Sequence, residues 1–410
     1  MKSSIGKSSG KPAFLGGKPV LPKLPEQKVM IGDEEKKEVM KVLNSGHLNA
    51  LTNDVVEKFE NSFAKYNGSK YGIAVNSGTA ALHVALSALG IGPGDEVIVP
   101  PYTFIATASA VLQQNAVPVF ADIDPKTLNM GPKAFEKVIT DRTKAVIPVH
   151  LFGMPADMNA IKKIARKHKI AVVEDACQSH GALYHGKKVG TFGAMSCFSF
   201  QESKNMATGE GGIVLTDDGK LAEKARIVRH IGMRKKYEYI TLGYNYRMPA
   251  LSAAVGIAQL KKLDKFNSHR RKMAGIYRDK LSGLPVRFIE EPQGVISSYH
   301  LFPIVLDGKF GSKMGKIIDA LSAENVPAWW VYPEPIYNVP FFRKREAYSL
   351  GCPFGCPHRD KTAKYEKGLC PAAEEISKLT IVLPTAPCYS EQTAAAVAKA
   401  VIKVLSYFDK

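Results

Sequence analysis

Apolar residues in the first two thirds of the chain follow two periods in turn. In VVEKFENSFAKYNG (55–68), Val55, Val56, Phe59 and Phe63 share one helical stripe and Asn67-Gly68 supplies a stop, so the spacing predicts a helix. YGIAV (71–75) then reads as a strand, and TAALHVALSALG (79–90) as a helix that ends at Gly90. The alternation continues through EVIVP (96–100), a helix near 103–114, AVPVFADI (116–123), a helix near 132–139 and AVIPVHL (145–151). Asp157 is placed to cap a helix that turns Met158, Ile161 and Ile164 inward, and IAVVED (170–175) follows as a strand. Strands that are apolar nearly throughout and separated by helices imply a mostly parallel sheet covered on both faces. The predicted fold class is α/β.

A helical stretch at 251–281 closes this region, and Gly283-Leu284-Pro285 marks a break after it. The remainder holds a strand-like YHLFPIVL (299–306), a helix near 312–324, a Pro-rich loop with Trp329 and Trp330, and a last helix near 391–407. That is enough for a small α/β domain. The division predicted is an N-terminal tail or arm (1–26), a large domain (27–282) and a small C-terminal domain (283–410). The basic, Ser- and Gly-rich start, up to about residue 12, reads as a flexible tail without the apolar core of a secretory signal.

Composition narrows the function classes. The 410 residues are 45% hydrophobic and 23% charged, with no apolar run of membrane-spanning length, as expected for a soluble, cytoplasmic protein. The net charge of +18 is spread along the chain. KKIARKHK (162–169) and HRRK (269–272) fit solvated helix faces, and no zinc-finger or RNA-binding signature accompanies them, so neither nucleic acid nor a membrane surface is expected as a partner. The six cysteines predict reduced thiols rather than disulfides. Cys352, Cys356, His358 and Cys370 could surround zinc, but their prolines read as loop-shaping, and no metal site is expected.

The chemistry gathers around FSFQESKNMATGEGGIV (198–214), where Lys204 stands between a strand-like run and a glycine-rich turn. A lone lysine there would ordinarily be a solvated turn residue. Three other segments change that. In VNSGTAALHVAL, Ser77-Gly78-Thr79 joins a strand to a helix, a junction that offers free N–H groups and the positive helix end to a phosphate. In VVEDACQSHGA, Asp175 sits at the carboxyl end of a strand, where ligands bind in such sheets. In PPYTFIATASA, Tyr102 and Phe104 lie just past another strand end, and either could equally be core. A phosphate turn, an aromatic face, an anion and an amine, in that order, are what pyridoxal 5'-phosphate (PLP) requires.

The sequence resembles the DegT/DnrJ/EryC1/StrS family of PLP-dependent aminotransferases, of fold type I. The likeness runs from FLGGKPVLP through SGTAALHVAL, PPYTFIATASAVL, EDACQSHGA, FSFQESKNMATGEGG and LGYNYRM, most of residues 14–280. It implies that Lys204 forms the Schiff base with PLP and that Asp175 faces the pyridinium nitrogen. It further implies that Phe104 stacks on the ring, that Gln178 lies beside the ring hydroxyl, and that Gly78, Thr79 and Ser199, with the neighbouring Ser77, contact the phosphate. Asn245 matches a residue that reaches the phosphate of the neighbouring subunit, which implies a homodimer with shared sites. The expected reaction is ping-pong transfer of an amino group from an amino-acid donor, glutamine or glutamate, to a keto acceptor. Lys204 is the freed base and acid of each half-reaction.

Dehydratases related to this family carry histidine at the lysine position, so Lys204 favours transamination. Gln201 in FSFQESK and the GGKPV segment resemble the branch acting on keto-cyclitols such as scyllo-inosose, or making 3-amino-5-hydroxybenzoate. The acceptor expected is a keto-cyclitol or a keto-sugar, free or nucleotide-linked. A PLP-binding regulator is the alternative of a different class. The insert GCPFGCPHRDKTAKYEKGLCPAAEE (351–375) departs from the family pattern and could line the acceptor pocket. His180 reads as a structural, hydrogen-bonded histidine, and Trp329, Trp330 and Tyr332 as pocket walls or packing.

Overall fold

The structure, a computed structural model, describes residues 10–345, 347–348, 351–355 and 364–409. Its central sheet has seven strands: β1 (Tyr71–Val75), β2 (Glu96–Val99), β3 (Val117–Phe120), β4 (Thr143–Val146), β5 (Ala171–Asp175), β6 (Met195–Ser199) and β7 (Gly212–Thr216). They lie in the order β1-β7-β6-β5-β4-β2-β3, all parallel except β7, which runs against both its neighbours. Every residue of β2, β6 and β7 is buried, which is why these segments read as unbroken apolar runs with little alternation.

Helices α1 (Asp33–Ser45), α2 (Val55–Asn67), α3 (Gly78–Ala88), α4 (Ala106–Gln113), α5 (Pro132–Lys137), α6 (Met158–Lys167), α7 (Gly219–Arg229) and α8 (Ala250–Lys280) accompany the sheet. The α2 stripe faces inward as its spacing requires: Phe59 and Phe63 are fully buried, each contributing about 1.5–3 kcal/mol. Asp157 caps α6 by accepting from Ala160 N at 3.1 Å.

A second, antiparallel sheet orders β8 (Val286–Phe288), β9 (Phe302–Leu306) and β10 (Thr380–Leu383). With it come α9 (Met314–Ala323), the short α10 (Pro340–Lys344), α11 (Pro371–Leu379) and α12 (Glu391–Phe408). Phe302, Ile317, Ile381, Val397 and Val401 form a second core. Helix α8 joins the two cores, with Leu263 in the first and Met273 and Tyr277 in the second.

The N-terminal segment is tied to this second core. Ala13 N and Val20 N each donate to the Glu324 carboxylate at 2.8 Å, and Lys403 Nζ neutralises it at 2.9 Å. Residues 1–9, the greater part of the expected flexible tail, lie outside the described residues.

One expectation about charge fails. HRRK reads as a solvated face, yet Arg270 is only 2% exposed. It turns inward because Nη1 donates to His300 O and Thr385 Oγ1, both at 2.9 Å, and more weakly to Tyr299 O at 3.4 Å. No described helix is long and apolar enough to cross a membrane.

Candidate active site

Because β1, β2, β5 and β6 point the same way, their carboxyl ends open on one edge of the sheet. The segments leaving those ends enclose a cavity of about 500 Å³. Ser77, Gly78, Thr79, Phe104, Asp175, Gln178, Ser199 and Lys204 all line it.

From β1, the chain turns directly into α3. Ser77 caps the helix by accepting from Ala80 N at 3.1 Å, which leaves the Gly78 and Thr79 N–H groups in a first turn without helical partners. A Cβ at Gly78 would lie 2.6 Å from Ser199 Cβ and 3.1 Å from Cys177 Sγ, so this approach of α3 to β6 requires glycine. The start of β7 is equally close: a Cβ at Gly212 would lie 2.3 Å from Ser77 O. From β2, Tyr102 goes into the core at 1% exposure, whereas Phe104 is 56% exposed on the cavity wall.

β5 places adjacent carboxylates on opposite faces, as strand alternation dictates. Asp175 faces the cavity, where Thr107 Oγ1 donates to Oδ2 at 2.8 Å and Cys177 N to Oδ1 at 3.2 Å. Glu174 is fully buried and accepts from Gly190, Phe192 and Gly193 N, each at 2.7 Å, with His150 Nε2 at 3.0 Å. Burial opposes its ionisation, but the His150 contact and the Gly193 and Gly190 N–H groups hold its carboxyl below the ordinary value. Gln178 is fixed at both ends of its amide, accepting from Phe152 N at 2.9 Å and donating to Tyr332 OH at 3.2 Å.

Lys204 lies in a loop between β6 and β7 that is closed at its neck by Phe200 N to Gly211 O and Thr208 N to Phe200 O, both 2.8 Å. Gln201 builds the turn: its Oε1 accepts from Ser203 N at 2.9 Å and Ser203 Oγ at 2.7 Å. Asn205 pins the loop to α8 through Asn267 at 2.8 Å. Desolvation is the largest influence on the Lys204 amine and holds it below the ordinary lysine value of 10.5, against the opposing pull of Cys177, Asp175 and Glu210.

Asn245 stands apart. It is exposed, pairs through its backbone with His230 and does not line the cavity. Of the aromatic candidates, Tyr332 lines the cavity, while Trp330 donates to Ser377 O at 2.7 Å and Trp329 pairs with Val382 of the second sheet. His180 packs among Phe63, Phe198 and Phe200, and its ring nitrogens make no hydrogen bond of ordinary geometry among the described residues. Burial drives its pKa down to about 3, so it is held neutral by packing instead of the expected hydrogen bond.

Cys356 and His358 lie outside the described residues, and no described part of the 351–375 insert lines the cavity. Two of its described residues pack elsewhere: Phe354 and Tyr365 join Phe342, Tyr365 also meets Phe120, and Tyr365 OH donates to Pro118 O at 2.8 Å. Sequence reasoning missed Thr107, Cys177, Glu210 and His300, all of which line the cavity.

The cavity fits PLP on its own chemistry. The Gly78 and Thr79 N–H groups in the first turn of α3 suit a phosphate, Phe104 presents an aromatic surface that no neighbour covers fully, and an anchored carboxylate and an amine complete the set.

The profile of the DegT/DnrJ/EryC1/StrS aminotransferase family matches residues 29–402. The chain is 42% identical over 328 residues to the GDP-perosamine synthase of Caulobacter vibrioides, covering 78% of this chain and 87% of that protein. Among solved structures, S. venezuelae DesV superposes with a TM-score of 0.82 at 34% identity, covering 92% of this chain and 95% of the other. A 3-amino-5-hydroxybenzoic acid synthase superposes with a TM-score of 0.86 at 30% identity, covering 94% of this chain and all of the other, 100%.

Proposed function

Because the chain belongs to the DegT/DnrJ/EryC1/StrS aminotransferase family, whose members are PLP-dependent enzymes of fold type I, we propose that it transfers an amino group from glutamine or glutamate to a nucleotide-linked keto-sugar, with Lys204 as the residue that carries PLP. The observation that supports this most is the meeting of Lys204 and the anchored Asp175 in one cavity with the first turn of α3. PLP, when bound, supplies an electron sink for the pair left when the donor's Cα proton departs.

The chain's residues do the rest. Asp175 would hold the proton on the ring nitrogen of bound PLP, Phe104 would cover one ring face and Gln178 would orient the ring hydroxyl. Ser77, Gly78, Thr79 and Ser199 would hold its phosphate with hydroxyl and N–H donors. Lys204 Nζ, once released, takes the proton from the donor's Cα. Its lowered pKa favours the neutral amine that this step needs. Asn245, exposed and away from its own cavity, serves the site of a second copy in a cytoplasmic homodimer.

Two observations favour a sugar over a cyclitol as acceptor. The relative from Caulobacter vibrioides is named for a nucleotide sugar. Gln201, the residue that resembles the cyclitol branch, spends its amide oxygen on the turn that carries Lys204. The test is to mix the pyridoxamine form of the enzyme with nucleotide-linked keto-sugars and, separately, with keto-cyclitols, and to look for the amine by mass spectrometry. Amination of a nucleotide keto-sugar is expected; amination of a keto-cyclitol alone overturns the acceptor assignment.

A further inference from the structure

Two residues with left-handed backbone, neither of them glycine, are linked through one side chain at the cavity wall. Phe152 has φ 56° and Tyr332 φ 53°, and the amide of Gln178 joins them, accepting from Phe152 N at 2.9 Å and donating to Tyr332 OH at 3.2 Å. The circuit closes where the two rings stack, 6.2 Å apart and 19° from parallel. We propose that Tyr332 is a second donor, beside Gln178, to the ring hydroxyl oxygen of bound PLP, and that the two hold that oxygen as an anion. The proposal rests on the aminotransferase reading above and adds a residue to its cofactor site.

The orientation of the amide is dictated by its neighbours. A backbone N–H only donates, so the Gln178 oxygen is turned to Phe152 and its NH2 group to Tyr332. One amide hydrogen goes to Tyr332 OH. The other, and the Tyr332 hydroxyl proton, have no acceptor among the described residues. Both side chains line the cavity, so two free donors joined by a 3.2 Å hydrogen bond meet at one place on its wall. Such a pair suits an oxygen anion.

Left-handed backbone is unfavourable for a residue with a Cβ and collects at ligand sites, where the surroundings enforce it. Here they do. Tyr102 lies edge-on to Tyr332 at 5.6 Å and donates to Val331 O at 3.3 Å, Ile336 N donates to Pro101 O at 2.9 Å, and Trp329 pairs with Val382 of β10. The loop is thus fastened both to the end of β2 and to the second sheet, and Tyr332 OH is fixed in advance of a ligand.

The electrostatics agree. Burial pushes the Tyr332 phenol above its ordinary value of 10; the Gln178 contact opposes this and the Asp175 charge adds to it, so the phenol keeps its proton at neutral pH. Asp175, as partner of the ring nitrogen, would keep that nitrogen protonated, and the balancing negative charge of the ring then falls on its oxygen. The other titratable groups on the wall are Cys177, Lys204, Glu210 and His300. Burial holds Cys177 and His300 neutral, so neither adds a charge.

The experiment follows the lysine-bound cofactor band through a pH series in wild type and in Tyr332→Phe, which keeps the ring. Donors to the oxygen anion draw its charge away from the proton on the Lys204 nitrogen, so removing one holds that proton more tightly. The titration midpoint is expected to rise by about one unit or more in Tyr332→Phe. Affinity of the apoenzyme for PLP is expected to fall about tenfold, whereas an analogue with hydrogen in place of the ring hydroxyl binds both proteins alike. A midpoint that does not rise, or an equal loss of affinity for PLP and for the analogue, overturns the proposal. A wild type without any lysine-bound band would instead overturn the aminotransferase reading on which it rests.

Discussion

Thr107 Oγ1 donates a 2.8 Å hydrogen bond to Asp175 Oδ2, and Thr103 Oγ1 lies 3.2 Å from Thr107 Oγ1 behind it. All three residues are buried. With Cys177 N on Oδ1 at 3.2 Å, the carboxylate is fixed by donors from both α4 and its own loop, and its orientation is set before any cofactor arrives. Thr107→Val is therefore expected to weaken PLP binding about tenfold or more, the loss of a hydrogen bond to a charged group, while Thr107→Ser retains most of the affinity. Fluorescence titration of PLP into the apoenzyme measures both.

Gly78 tests the cradle. Gly78→Ala puts a Cβ 2.6 Å from Ser199 Cβ, and neither strand β6 nor α3 can move without its neighbours. The expected result is about 1–3 kcal/mol of overpacking strain and weaker PLP binding, read by urea denaturation and by PLP titration. An unstrained Gly78→Ala protein with normal affinity would show that the close approach of α3 to β6 is not needed.

Glu174 supports Asp175 from the opposite face of β5. Glu174→Ala leaves the Gly190, Phe192 and Gly193 N–H groups and His150 without their acceptor, and is expected to cost about 3–5 kcal/mol in urea unfolding. Since its folded pKa lies below the ordinary 4.5, its contribution is complete above the ordinary carboxylate range and is lost as pH falls through the folded value. Glu174→Gln is expected to remove that acid-limb dependence.

The lowered Lys204 pKa has a kinetic consequence. A neutral amine attacks the PLP aldehyde, so the attachment rate to the apoenzyme rises with pH, with its midpoint below 10.5. Stopped-flow absorbance across a pH series reads the midpoint directly, and a value at or above 10.5 contradicts desolvation as the dominant influence.

Much of this arrangement is legible in the sequence because it rests on short-range pattern. The α2 stripe and the strand ends at Val75, Asp175 and Ser199 follow from spacing, and parallel strands bring such ends to one edge. What escapes is long-range. Thr107 looks like filler in an apolar helix until β5 places Asp175 beside it. Arg270 looks solvated because a charge run on a helix carries no sign that α8 passes between two cores. The antiparallel β7 depends on the return of the Lys204 loop, which no periodicity encodes. Helix α1 is hidden because its charged residues outweigh its apolar ones, and its start is fixed locally by Glu35 accepting from Gly32 N at 2.7 Å.

The most direct measurement is the absorbance spectrum of the purified protein with PLP, before and after glutamine or glutamate, in wild type and Lys204→Ala. The account predicts a lysine-bound cofactor band at roughly 410–430 nm that a donor bleaches as the pyridoxamine form appears, with no such band in Lys204→Ala. A wild-type protein with no band, or a Lys204→Ala protein with the same band and the same bleaching, would contradict the assignment of Lys204 as the residue that carries PLP.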